Sequence, residues 1–116
     1  MTKNYNKSDN IYLKHIYESI EAIEDYIDGF TFDNFLGSMK TQDAVIRRLL
    51  IIGEAAKKVS TETKESNKKI PWRDMAGMRD VLVHDYFGVD LFQVWGTCQD
   101  DLPKLKQEIK NILKLT

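Results

Sequence analysis

Apolar residues recur every three or four positions along this chain and seldom every second one, the spacing of helices that bury one face. In the first segment Ile11, Tyr12, Ile16, Ile20, Ile23 and Ile27 form one stripe. Ser8 or Asp9 can accept a free first-turn N–H, and Gly29 can end the run in the left-handed conformation. The pattern predicts a helix over Asp9–Asp28. The stretch from Thr31 to Phe35 reads as a short helical turn, capped by Thr31 and stopped by Gly37. A second long stripe (Ala44, Val45, Leu49, Ile52, Ala56 and Val59) predicts a helix over Thr41–Glu62. Gly53, Ala55 and Ala56 within it are small enough to let another helix approach closely.

Residues 60–70 are polar and read as a loop or a frayed helix end. Pro71 suits a first helical turn, where its missing N–H is not needed, so the next helix is predicted over Trp72–Asp85, with Gly88 terminating it. Asp90 caps a last helix over Leu91–Leu115, whose stripe is Val94, Trp95, Cys98, Leu102, Leu105, Ile109 and Ile112. Pro103 falls inside that run and predicts a kink or a break. The fold expected is a single all-α domain over residues 1–116, an up-and-down bundle of four main helices plus one short helix.

Composition narrows the functional classes. A chain of 116 residues, 42% hydrophobic and 30% charged, supports one core and is not disordered. A single cysteine, Cys98, excludes an internal disulfide framework, and two histidines make a multi-histidine metal centre hard to build. The reading is of a protein with no metal and no cofactor. Seventeen basic against 18 acidic side chains exclude a bulk cationic coat. The charge is nevertheless uneven: residues 47–73 carry 8 basic and 3 acidic groups, residues 74–101 carry 1 and 6. The polar start has no signal-peptide core, and the aliphatic run from Leu49 to Ile52 is far short of a bilayer span, so a cytoplasmic protein without membrane contact is expected.

One stretch, Met78 to Phe87, is not explained by packing. It gathers Arg79, His84 and Tyr86 near a helix end. These residue types suit cleavage of RNA without metal. The 2′-hydroxyl must lose a proton, the 5′-oxygen must gain one, and the phosphorane carries extra negative charge. Histidine moves protons near neutral pH. Arginine holds phosphate oxygens bidentately. Tyrosine donates a hydrogen bond or serves as a modification site. Each also has a structural use: His84 as a C-terminal cap, Arg79 as the partner of Asp80, Asp85 or another carboxylate, Tyr86 as a half-buried anchor. Arg79 and Tyr86 are seven apart and share a face if the helix continues that far, whereas His84, five from Arg79, leaves it. A fraying last turn, or a second copy of the helix across a two-fold axis, would help to bring them together. A weaker reading takes His84 and Asp85 as half of a histidine–aspartate metal phosphohydrolase, with His15 and Asp100 or Asp101 as further ligands.

Arg79-x4-His84-x-Tyr86 resembles the RX4HXY signature of the HepT-like toxins, within the HEPN superfamily of small helical ribonucleases. Tyr12 and Leu13, the run Ile51–Ala56, the run Ile70–Trp72, Met78 to Asp80 and Val83 to Asp90 extend the resemblance to about Asp9–Leu113. It implies a HEPN-like bundle that dimerises, two motif helices lining one cleft. It implies metal-independent RNA cleavage, with Arg79 and His84 as the catalytic pair and Asp80 and Tyr86 in support. It also implies a partner, a minimal nucleotidyltransferase antitoxin that transfers AMP to Tyr86. The position after the motif arginine is often Asn in the superfamily and is Asp80 here. A carboxylate there holds the arginine but competes with phosphate for it. The alternative function is a non-catalytic helical dimer that binds and assists the nucleotidyltransferase.

Overall fold

The computed structural model describes residues 7–114, and among them every regular element is helical. In chain order these are α1 (Lys7–Tyr26), α2 (Phe32–Leu36), α3 (Met39–Lys58), α4 (Thr61–Ser66), α5 (Trp72–His84), α6 (Leu91–Gly96) and α7 (Leu102–Leu113). A 3₁₀ turn, Tyr86–Gly88, follows α5, and a wider π-type turn, Thr97–Asp101, joins α6 to α7. The expected bundle is present. Its central member is α3, which packs on α1 and α5, while α7 closes against α1.

The α1 stripe buries Ile16, Ile20, Ile23 and Ile27 as the pattern required. Leu13, not Ile11, completes it, and Ile11 is 48% exposed. Leu13 lies three residues before Ile16 and so stays on its face, whereas Ile11 lies five before and does not. On α3 the side chains of Val45, Leu49, Ile52, Ala56 and Val59 are buried. Gly29 has the expected positive φ of 74° in the turn after α1. The Thr31 hydroxyl accepts from the Asn34 N–H while the Asn34 side chain accepts from the Thr31 N–H, a reciprocal cap that starts α2.

Four features differ from the sequence pattern, each for a hydrogen-bonding reason. Asp9 does not cap α1, which already runs through it. Its buried carboxylate instead accepts from the Ser60 N–H (2.9 Å), the Ser60 hydroxyl (2.6 Å) and the Thr63 hydroxyl (2.5 Å). Those bonds end α3 at Lys58 and start the separate α4, with Ser60 as its cap, where a loop was expected. Pro71 sits just before the first turn of α5 rather than in it. Trp72 anchors that end: its indole N–H donates to the Asn67 carbonyl (3.1 Å). The predicted last helix is divided at the π turn, where the Leu102 N–H reaches back five residues to the Thr97 carbonyl. Pro103, with no N–H to give, thus falls in the first turn of a new helix. The predicted end at Leu115 lies outside the described residues.

Cys98 is buried in the core, and burial pushes its thiol up to about 12. That suits a packing role, not a nucleophile.

Candidate functional site

The motif residues lie on α5 and the turn after it, and α3 sets their position. Gly53 is the point of closest approach between the two helices. A Cβ at Gly53 would fall 2.7 Å from the Met75 carbonyl oxygen and nearer still to Arg79 Cβ. Arg79 therefore leaves α5 at the tightest point of the crossing, with its backbone fixed on both sides.

The Arg79 guanidinium emerges at the edge of this seam, its side chain 28% exposed. Its Nε lies 2.8 Å from Glu54 Oε2, and its Nη1 lies 3.1 Å from Asp80 Oδ1. Asp80 Oδ1 also takes Lys57 Nζ at 3.0 Å. Glu54, Arg79, Asp80 and Lys57 form one line of alternating charge along the seam. Hydrogen bonds from Lys57, then Arg79, hold the Asp80 carboxyl below its usual 3.8. The network uses Nε and one edge of Nη1, so the rest of the guanidinium fork remains for an anion.

His84 ends α5, is exposed, and makes no hydrogen bond or ion pair among the described residues. The helix is continuous from Arg79 to His84. Five residues of helix place the imidazole about 140° round and about 7.5 Å along the axis from Arg79. The structure thus brings Arg79 and Asp80 together and sends His84 to another side of the helix.

Tyr86 belongs to the 3₁₀ turn. Its hydroxyl donates to Asp43 Oδ1 near the start of α3 (2.6 Å), and that bond raises the phenol above its usual 10.0. Its ring meets Phe87 edge-on, centroids 5.7 Å apart. Phe87 is itself 101% exposed, and Val81, Val83 and Phe92 are exposed as well.

A cleft of about 600 Å³ lies between α5 and α6 and is not part of this arrangement. Met78, Leu82 and Val94 line it, with the carboxylates of Asp74, Asp100 and Asp101. That charge repels a phosphodiester. The metal-ligand set of His15, His84, Asp100 and Asp101 is not assembled: among the described residues no three His, Cys, Asp or Glu side chains gather so as to hold a metal ion. Asp43, Glu54 and Lys57 had no role assigned from sequence, and Gly53 was read for close packing alone. The signal available for Glu54 and Lys57 was their place in or beside the run Ile51–Ala56.

Arg79, His84 and Tyr86 thus lie within eight residues at the C-terminal end of α5 and the turn after it, in an all-helical bundle. A family profile described as "Ribonuclease HepT-like" matches residues 16–112. "Probable ribonuclease HepT" of Thermococcus cleftensis is 46% identical over 108 residues, covering 93% of this chain and 98% of that protein. A candidate RNase of Caldanaerobacter subterraneus subsp. tengcongensis is 38% identical, covering 93% and 96%. A Methanocaldococcus jannaschii protein, named as a γ-glutamylcyclotransferase and candidate RNase, is 51% identical over 108 residues. There the match covers 93% of this chain but 49% of the relative, so this chain spans about half of that protein. No solved structure gives a significant match. The chain belongs to the HepT-like ribonuclease family. No helix among the described residues is long and apolar enough to cross a membrane.

Proposed function

We propose that this protein is a metal-independent endoribonuclease toxin of the cytoplasm, acting in a cleft shared by two copies of the chain. Arg79 and His84 are its catalytic pair. A neutral His84 imidazole takes the proton from the 2′-hydroxyl, whose oxygen attacks the adjacent phosphorus. The 5′-oxygen leaves and gains a proton from a protonated imidazole, that of the second copy being suitably placed. The products are a 2′,3′-cyclic phosphate and a 5′-hydroxyl. Arg79 stabilises the added charge on the phosphorane oxygens.

One observation carries this reading. Arg79 is pinned at the Gly53 crossing while His84, unpartnered, points about 140° away beside open apolar side chains. A half-site of this shape is completed by a second motif helix, and Phe87, Val83 and Val81 supply apolar surface for it to bury.

Control would come from a minimal nucleotidyltransferase antitoxin. In AMP transfer the Tyr86 oxygen attacks the α-phosphorus of ATP and pyrophosphate leaves. Asp43, which already accepts from the Tyr86 hydroxyl, receives the proton. The added nucleotide would block the cleft by bulk and charge.

A second reading has one observation in its favour. Glu54 and Asp80 already occupy part of the Arg79 guanidinium, as in a structural arginine, and a non-catalytic dimer serving the nucleotidyltransferase would need nothing more. The test is digestion of transfer and messenger RNA by purified protein in excess EDTA, with Tyr86 shown unmodified by intact mass. Cleavage supports the nuclease. Its absence favours the binding module.

A further inference from the structure

A second polar cleft lies between α1 and α3, away from the motif, with a volume of about 360 Å³. It is lined by His15, Glu18 and Ser19 of α1 and by Arg48 and Ile51 of α3. The Ser19 hydroxyl is buried and has no hydrogen-bond partner. A helical serine usually donates to the carbonyl four residues back, so an orphan here is unusual. Arg48 is half-buried, yet it enters none of the ion pairs among the described residues. Its one hydrogen bond is long, Nε to the Tyr26 hydroxyl at 3.4 Å. His15 has only an edge contact with the Tyr12 ring, centroids 6.4 Å apart.

Three donors of different kinds therefore line one cleft: a buried hydroxyl without a partner, a half-buried guanidinium with one long bond, and an exposed imidazole. The space is about ten times the ~30 Å³ share of one water, so a single ordered water does not fill it. What the donors lack in common is a compact acceptor of negative charge. We propose that this cleft is an oxyanion subsite that takes a phosphate group: Arg48 as the fork, Ser19 as the buried hydroxyl donor, His15 as the donor at the mouth. Glu18 is the one opposing charge and sets the limit on affinity.

Arg48 lies five residues before Gly53 on α3, about 7.5 Å along the axis and about 140° round it. The subsite is thus on the opposite flank of α3 from Arg79. It acts by holding a phosphate, not by touching the reacting atoms. The phosphate can belong to an RNA backbone, which would extend the function proposed above, or be free in solution.

The test titrates inorganic phosphate against chloride at constant ionic strength into the full chain, read by amide and side-chain NMR. Wild type should show saturable shifts confined to His15, Ser19 and Arg48. Arg48→Gln should weaken binding at least tenfold, and Glu18→Gln should tighten it several-fold. Ser19→Ala removes the orphan hydroxyl without a charge change and should also lose affinity while folding normally. A second arm measures single-stranded RNA binding in a His84→Ala background, so that cleavage plays no part. If Arg48→Gln lowers RNA affinity and its salt slope by about one phosphate's worth, the backbone is the source. If RNA binding is unchanged while phosphate still saturates, the source is free phosphate. Absence of saturable shifts in wild type, or phosphate binding undiminished in Arg48→Gln and Ser19→Ala, overturns the subsite whether or not the protein cleaves RNA.

Discussion

Replacing Gly53 by alanine adds one methyl group at the α3–α5 crossing, 2.7 Å from the Met75 carbonyl oxygen and nearer to Arg79 Cβ. Restoring a contact near 3.5 Å requires α5 to retreat by about 1 Å. Overpacking of this kind costs about 1–3 kcal/mol. Alanine in a helix interior recovers about 1 kcal/mol relative to glycine. The net loss of stability is therefore about 0–2 kcal/mol, and Gly53→Ala should fold. Cleavage should suffer more. A displacement of about 1 Å in a positioned catalytic group costs on the order of 100-fold, equivalent to about 2.7 kcal/mol in the barrier. The assay pairs thermal melts with single-turnover RNA cleavage. Gly77→Ala is the control, because a Cβ there meets nothing within 4 Å. It should gain up to about 1 kcal/mol of stability and keep its activity. If Gly53→Ala melts as expected and cleaves within twofold of wild type, the claim that this crossing positions Arg79 is wrong.

Three further outcomes follow from the same geometry. Asp9→Ala should lose about 2–4 kcal/mol in urea unfolding, since the Ser60 and Thr63 donors would lose a charged acceptor. Burial raises the Asp9 carboxyl, but the bonds from Ser60 and Thr63 outweigh that and leave it below 3.8. Its contribution is therefore complete above pH 3.8 and disappears as pH falls through the lowered folded value, so wild type and Asp9→Ala should converge in acid. Asp80→Asn should free Arg79 for phosphate and raise kcat/KM on RNA several-fold at low salt; an unchanged or lower value would mean the carboxylate is needed to hold the arginine. Phe87→Ser should shift the chain from dimer to monomer in sedimentation and abolish cleavage together; a monomeric wild type would remove the shared cleft.

The bundle was legible because each long helix repeats its buried face often enough to fix a phase. Ile16, Ile20 and Ile23 set it on α1, and the same phase excludes Ile11 and admits Leu13. It also places Asp9 on the buried side, seven residues before Ile16, where a carboxylate needs partners. Those partners, Ser60 and Thr63, lie 51 and 54 residues on, so the end of α3 and the existence of α4 were not readable locally. The motif was legible as a short local spacing. Its surroundings were not. The Glu54 bond to Arg79 and the Asp43 bond to Tyr86 both depend on how α3 crosses α5, as does the Lys57 bond to Asp80. The small residues at Gly53, Ala55 and Ala56 announced a close crossing without saying which side chain would emerge from it.

Arg79 and His84 are the proposed catalytic pair of this ribonuclease, and removing each in turn tests that role. The direct measurement is single-turnover cleavage of one defined RNA in excess EDTA by wild type, His84→Ala and Arg79→Ala, with melting curves for all three. The account predicts cleavage by wild type and a loss of about 10²–10⁴-fold in each variant. His84 is exposed and unpartnered, so His84→Ala should melt as wild type does. Undiminished cleavage by His84→Ala would contradict the account, because the proton transfers would then belong to another group.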